Sequence, residues 1–283
     1  MNPEYGFSKG FDRSIYQREI DAKEVISHFF ENYHTFKERD QFVWLNFNDL
    51  HHYLKTIPSI FTQSKMSHNY LENKSEKKVK SVFTKYNNTK KETLENEMTK
   101  LDFHLGLLFN FIENNFLDKE ILVNLVTDHG HAFLDKSNNI LSVARNSIPW
   151  FIRGDGVDSQ KSHELTENVD IFETIVNKCE LDKSNVLSNG NLPFALGGTE
   201  ARSYTFAQSI FPGQKYKSVI KDDKYEFFFE TRGSVDEQGY FEKDPYNCSL
   251  QYLNSSEKVE NEELFEKYKH KCLENISLWL NTL

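Results

Sequence analysis

The sequence is short of cysteine, of positive charge and of long apolar runs, and each shortage removes a class of protein. Its three cysteines, Cys179, Cys248 and Cys272, stand far apart with no CxxC or metal-finger spacing. Neither a zinc module nor a disulfide framework is therefore implied, and reduced, buried thiols are expected. The formal net charge of -9 disfavours a general affinity for nucleic acid or anionic membranes. An anionic ligand would need a local basic or metal site. No apolar run approaches a membrane span, and the opening MNPEYGFSKGFDRS lacks the basic-then-apolar order of a signal peptide. The chain as given reads as cytoplasmic, with neither nucleic acid nor membrane as a partner. It shows no internal repeat.

What is present suffices for a folded protein: 283 residues with 38% hydrophobic content can bury a sizeable core, in one large domain or in a domain with an appended lobe. Val25, Ile26, Phe29, Phe30 and Tyr33 recur at helical spacing behind Asp21, which is placed to cap the start. FVWLNF at 42–47 has the apolar and aromatic character of a central strand. Leu94, Met98, Leu101, Leu105, Leu108 and Ile112 alternate steps of four and three, which places them on one helix face. That helix leads by a short turn into the strand ILVNLVT. IPWFIRG at 148–154 reads as another central strand, and NVDIFETIVNKC as a crossover helix capped by Asp170.

Helix followed by buried strand is the rhythm of a parallel sheet covered on both faces. The expected fold is thus α/β over residues 1–187, a mostly parallel sheet with helices on both faces. A smaller α+β subdomain is expected over residues 188–283, because SYTFAQSI, KYKSVI and YEFFFETRGSV are short runs separated by tight polar turns, the pattern of an antiparallel meander. A helix over 259–280 closes it. Between Tyr53 and Lys91 the periodicity is lost and lysines gather, which suggests a long solvated excursion.

Two polar clusters stand just past apolar runs. VNLVT ends in Asp128-His129-Gly130-His131, where a carboxylate oxygen and an imidazole nitrogen can share one divalent ion. Two ligands are too few for calcium or magnesium, and zinc too would need two more protein groups. Asp49-Leu50-His51-His52 follows FVWLNF, and two strands of one sheet would deliver both clusters to the same edge. His51 or His52 could there donate a proton to a departing alkoxide.

In their order as well as their residues these segments resemble the sulfatases of the alkaline phosphatase superfamily. GFDRSIY resembles the family's GFD segment, and FVWLNFNDLHHYL its strand followed by D-x-H. TKLDFHLGLLFNFIENNFLDKEILVNLVTDHG is similar to the helix, turn and strand that end in T-S-D-H-G. IPWFIRG resembles the V-P-L-I-I strand, and NVDIFETIV the V-D-I-x-P-T-I helix with Glu173 where Pro is usual. SIFPGQKYKSVIKDDKYEFFFET resembles the C-terminal subdomain.

The resemblance implies that Asp128 and His129 are the second pair of metal ligands, around calcium, with magnesium or zinc as alternatives. It implies that His51 contacts the sulfate and helps the leaving oxygen. A lysine beyond the DHG turn holds the sulfate in the family; Lys136 is the nearest, and Arg145 competes for that role. The family's first metal-binding aspartates and its C/S-x-P-x-R motif, whose Cys or Ser becomes formylglycine, have no counterpart here. The chain is therefore expected to begin at the family's middle, with a missing segment or a partner chain supplying the nucleophile. Hydrolysis of a sulfate ester, such as a sulfated glycan, is not expected of this chain alone. Phosphoryl or phosphoethanolamine transfer and phosphodiester hydrolysis on the same fold, or a non-catalytic binding remnant, stay open.

Overall fold

The computed structural model describes residues 8–16, 20–50, 88–131, 139–183, 188–253, 255 and 257–280. The chain divides into two compact units, residues 1–80 with 87–116 and residues 81–86 with 117–283.

The described part of the first unit contains two helices. Helix α1, Ala22–Phe36, begins where the sequence predicts: Asp21 accepts a hydrogen bond from the Glu24 amide at 2.9 Å, and the Glu24 carboxylate accepts one from the Asp21 amide. Such a reciprocal cap contributes about 1 kcal/mol. Ala22, Val25 and Ile26 are buried. Helix α2, Asn88–Asn115, buries Leu94, Leu108 and Ile112. Between α1 and α2 the ring of Phe111 meets Phe30 and Tyr33 edge-on, with centroids 4.9 and 5.2 Å apart, a geometry that adds to area burial. Met98, part of the expected stripe, is half exposed, and Glu97 is buried beside it with its carboxylate accepting from Lys100 at 2.7 Å.

FVWLNF forms no strand. Residues 41–48 have no regular structure, and Trp44 is 57% exposed. Apolar and aromatic side chains favour a pleated surface only where neighbouring strands pack against them, and among the described residues none pairs with this segment.

The described part of the second unit contains two sheets. Strands β1, Leu122–Val126, and β2, Trp150–Gly154, form a two-stranded sheet with Leu122 opposite Gly154 and Val126 opposite Trp150. A single 3-10 turn, Asp118–Glu120, precedes β1. Between the strands lies the one-turn helix α3, Val143–Asn146, and after them helix α4, Val169–Lys178. The larger sheet is a meander of β3, Thr205–Ser209, β4, Lys215–Lys221, β5, Tyr225–Ser234, and β6, Tyr246–Tyr252, in spatial order β3-β4-β5-β6. Helix α5, Glu262–Leu280, covers one face, where Tyr216, Ile220, Phe227, Phe229 and Leu250 pack with Tyr268, Cys272 and Ile276. On the opposite face Val219 packs with Ile140 and Leu141, flanked by Ala207, Phe211 and Phe228.

The mostly parallel sheet predicted from the sequence is not what forms: every strand pair in both sheets is antiparallel. A short apolar run reports burial and carries no information on strand direction. Direction is set by the connection, and a parallel return needs a crossover, usually a helix lying on the sheet. The described part of the link from β1 to β2 holds only the four-residue α3, and β2 comes back beside β1 head to tail.

Asp170 is not the cap of α4. Asn168 occupies that position, without a side-chain cap bond. Asp170 is instead 2% exposed inside the first turn, where its carboxylate accepts from the Glu167 and Asn191 amides and from the Arg202 guanidinium. Of the three thiols Cys272 is buried, Cys248 half-buried and Cys179 exposed. Among the described residues no helix is long and apolar enough to cross a membrane.

Candidate metal site

Strand β1 ends at Val126, and the next four residues leave the sheet. The turn that follows is fixed by backbone contacts only a glycine permits. A side chain on Gly130 would run into the carbonyl of Ala144. With none there, the Gly130 amide donates to the Arg145 carbonyl at 2.8 Å, and the Arg145 guanidinium Nη1 donates back to the Gly130 carbonyl at 3.3 Å. From the start of α4, Asn168 Nδ2 donates to the Asp128 carbonyl at 3.2 Å. The segment 139–146 is in turn seated on the larger sheet through Ile140 and Leu141. The turn therefore sits between the end of β1, α3 and α4, and α3 ties it to the larger sheet.

These contacts determine how His129 presents its ring. Its Nδ1 lies 2.9 Å from the Gly130 carbonyl oxygen. A carbonyl only accepts, so Nδ1 carries the hydrogen and Nε2 of the neutral ring carries the lone pair. That Nε2 lies 3.5 Å from Asp128 Oδ2, while Asp128 Oδ1 accepts from the His129 amide at 2.9 Å. Two electron-rich atoms at this separation repel unless a positive charge stands on or between them. A cation shared by both atoms would supply it. The Asp128 side chain is 84% exposed, so a hydrated ion has access.

Donor chemistry fits a divalent cation in kind and falls short in number. A carboxylate oxygen and an imidazole nitrogen whose other nitrogen bonds to a carbonyl are a common ligand arrangement. Zinc needs four ligands and calcium six to eight. Among the described residues no group of three or more His, Cys, Asp or Glu side chains is placed to hold a metal ion. The described residues thus form a half-site.

Arg145 is the positive group beside it. Burial pushes its guanidinium pKa down and the charge of Asp128 draws it back, with a net lowering from its usual value; a guanidinium stays charged regardless. Asp128, His129 and Arg145 line a cavity of about 420 Å³, within the size range of small-molecule sites. Its other walls are Ile140, Leu141 and Asn146 and the end of β3 with its exit, residues 207–211.

Of the residues singled out in the sequence, the structure brings together Asp128, His129 and Arg145. His51, His52 and Lys136 lie outside the described residues. Asp49 supports the fold of the first unit, since its Oδ1 accepts from the Ala22 amide at 3.1 Å, at the N-terminus of α1. Sequence reasoning missed Asn168 and the walls formed by Ala207, Ile210 and Phe211. The signal for those walls was the sequence SIFPG, where a strand leaves its sheet on two apolar residues before a Pro-Gly turn. No protein-family model matches the chain, and no curated protein matches it.

Proposed function

We propose that the chain carries the second half of the cation site of a sulfatase-like metallohydrolase, with Asp128 and His129 as its ligands and a sulfate monoester as its substrate. The observation that carries this reading is the approach of His129 Nε2 and Asp128 Oδ2 to 3.5 Å, with the imidazole tautomer fixed by the Gly130 carbonyl. The order of motifs along the chain supports it. Calcium is the ion of the family; the imidazole donor also suits zinc. A bound cation would neutralise charge on the ester oxygens.

The chain's own residues supply the rest of what is proposed here. Arg145, ordered by the Gly130 carbonyl, holds an ester oxygen in the role the resemblance leaves between it and Lys136. His51, by resemblance, protonates the leaving alcohol. The other cation ligands and the formylglycine nucleophile come from polypeptide beyond the described residues, in the same protein or in a partner chain. Hydrolysis by the chain alone is not expected.

Calorimetric titration of Ca²⁺, Mg²⁺ and Zn²⁺ into the wild-type chain and into Asp128→Ala tests the reading. Weak binding in the wild type, with a rise in melting temperature and with both lost in the variant, is the expected result. Absence of heat and of a melting shift for all three ions in the wild type would overturn it.

A further inference from the structure

A buried hydroxyl without a partner costs a protein stability, and each such group asks for an explanation. The larger sheet buries two serines. Ser218, on β4, faces α5, with its Oγ 3.3 Å from the Cys272 Sγ. Ser209, the last residue of β3, is 8% exposed, and its hydroxyl makes no hydrogen bond among the described residues.

The strand register shows where that hydroxyl points. Ala207 stands opposite Val219 and Ser209 opposite Lys217, and residues two apart on a strand share a face. Ala207 packs with Val219, Ile140 and Leu141 on the side of the sheet away from α5, so Ser209 is on that side as well. There it lines the cavity that Asp128, His129 and Arg145 also line. Its cross-strand neighbour Lys217 is turned to Glu230, at 3.0 Å. Two further polar groups of the cavity are only half used. Asn146 gives an amide hydrogen to the Leu141 carbonyl at 3.0 Å and leaves its amide oxygen without a partner. Gln208 takes the Tyr216 hydroxyl on its amide oxygen at 3.0 Å and leaves its amide nitrogen without one. Beside the guanidinium, then, stand groups able to bond a ligand, and Ser209 is the most deeply buried of them.

We infer that Ser209 is a ligand-contacting residue of this cavity, its hydroxyl donating a hydrogen bond to an oxygen of the anionic group whose charge Arg145 holds. The inference rests on the role given above to Arg145 and adds to it a group from the larger sheet. A hydrogen bond to a charged oxygen is roughly twice as strong as one between neutral groups. A serine whose backbone is already fixed in a strand has little freedom left to lose when it forms one. The folded chain bears the cost of an unpaired buried hydroxyl, and a bound oxyanion recovers it. Sulfate and phosphate monoesters present the same terminal oxygens to such a donor.

Methyl sulfate and methyl phosphate, titrated by calorimetry into the full chain with and without Ca²⁺, test it. The wild type is expected to bind at least one of them, and the tighter of the two separates sulfate from phosphate as the natural group. Ser209→Ala should bind that ester about tenfold more weakly, with the calcium heat unchanged. Its melting temperature should equal or exceed that of the wild type, because the variant removes a buried hydroxyl that has no partner. Ser218→Ala, which removes the hydroxyl beside Cys272, should melt lower and keep the wild-type ester affinity. Equal ester affinity in the wild type and Ser209→Ala would overturn the assignment and leave Arg145 and the half-site standing. Weaker binding in Ser209→Ala together with a lowered melting temperature would make the hydroxyl a structural group and overturn it as well. Calcium heat without ester binding in the wild type would overturn the roles of Ser209 and Arg145 and leave the half-site. Ester binding that is weakened in Ser209→Ala but present without any calcium heat would overturn the half-site and keep Ser209. Neither calcium heat nor ester binding would overturn both.

Discussion

Gly130 shows how one missing side chain holds a candidate site in place. The Ala144 carbonyl occupies the position a Cβ would take, and the paired bonds between Gly130 and Arg145 depend on that close approach. Replacing Gly130 by alanine should cost about 1–3 kcal/mol, the usual range for forcing extra volume into a packed position. Because the same bonds orient His129, the variant should also lose its calcium heat; a normal heat at a lowered melting temperature would show that the turn is not needed for the half-site. At another position the charge state of one carboxylate can be followed through stability. Burial pushes the Glu230 carboxyl up, but hydrogen bonds from Lys215 and Lys217 and their charges more than offset this, and its pKa lies below the ordinary value of 4.5. A depressed folded pKa means that the unfolded chain takes up the proton first. The contribution of Glu230 is complete above the unfolded value and is lost as pH falls through the folded one. The melting temperature of Glu230→Gln should therefore fall below that of the wild type at neutral pH, and the gap should close as the pH is taken below the ordinary carboxylate range.

Helix α4 and the segment leading into strand β3 are linked by ions, and this link is where removal of a single group should hurt most. Arg202 is largely buried between Asp170 and Glu167, at 2.8 Å from the latter. Burial pushes the Arg202 pKa down, and the bond to Asp170 with the charges of Glu167 and Asp170 raises it beyond its usual value. Burial also raises the Glu167 carboxyl, although the Phe206 amide and Arg202 pull against it. Taking away the guanidinium would leave two carboxylates without a counter-charge, one of them fully buried. Arg202→Leu should cost about 3–5 kcal/mol, and adding Asp170→Asn should recover part of that loss. Equal melting temperatures for the single and double variants would contradict the coupling. Asp170 was legible as a residue that matters for α4, but its partner thirty-two positions later was not, because residue types do not disclose long-range pairing. The contrast between elements has the same origin. Helix α1 could be read from Asp21, Glu24 and the Val25–Ile26 stripe since a cap and its first turn are local. FVWLNF could not be read correctly, because whether an extended apolar segment becomes a strand depends on a neighbour elsewhere in the chain. The β1–β2 pair was legible as two strands and illegible in direction for the same reason.

At the scale of the whole chain, stability should be unevenly distributed, and the candidate site should sit on its weaker part. Strands β4 and β5 lie inside a four-stranded meander, with Tyr216, Val219, Ile220, Phe227 and Phe229 almost fully buried. Strands β1 and β2 pair only with each other among the described residues, none of the β1 side chains is fully buried, and Phe151 is 63% exposed. A two-stranded sheet has little independent stability in water, so its amides should exchange with solvent through local opening, while those of β4 and β5 wait for global unfolding. Hydrogen exchange followed by mass spectrometry should show peptides covering Leu122–Val126 exchanging well before those covering Phe227–Phe229. A cation that binds only the closed turn stabilises that state in proportion to the logarithm of its excess over its dissociation constant. Saturating Ca²⁺ should therefore slow exchange in β1 and in the turn through Gly130, and leave β4 and β5 unchanged. Equal slowing everywhere would mean that the ion raises the stability of the whole fold from some other place, and no slowing in β1 would leave Asp128 and His129 as a hydrogen-bonded turn.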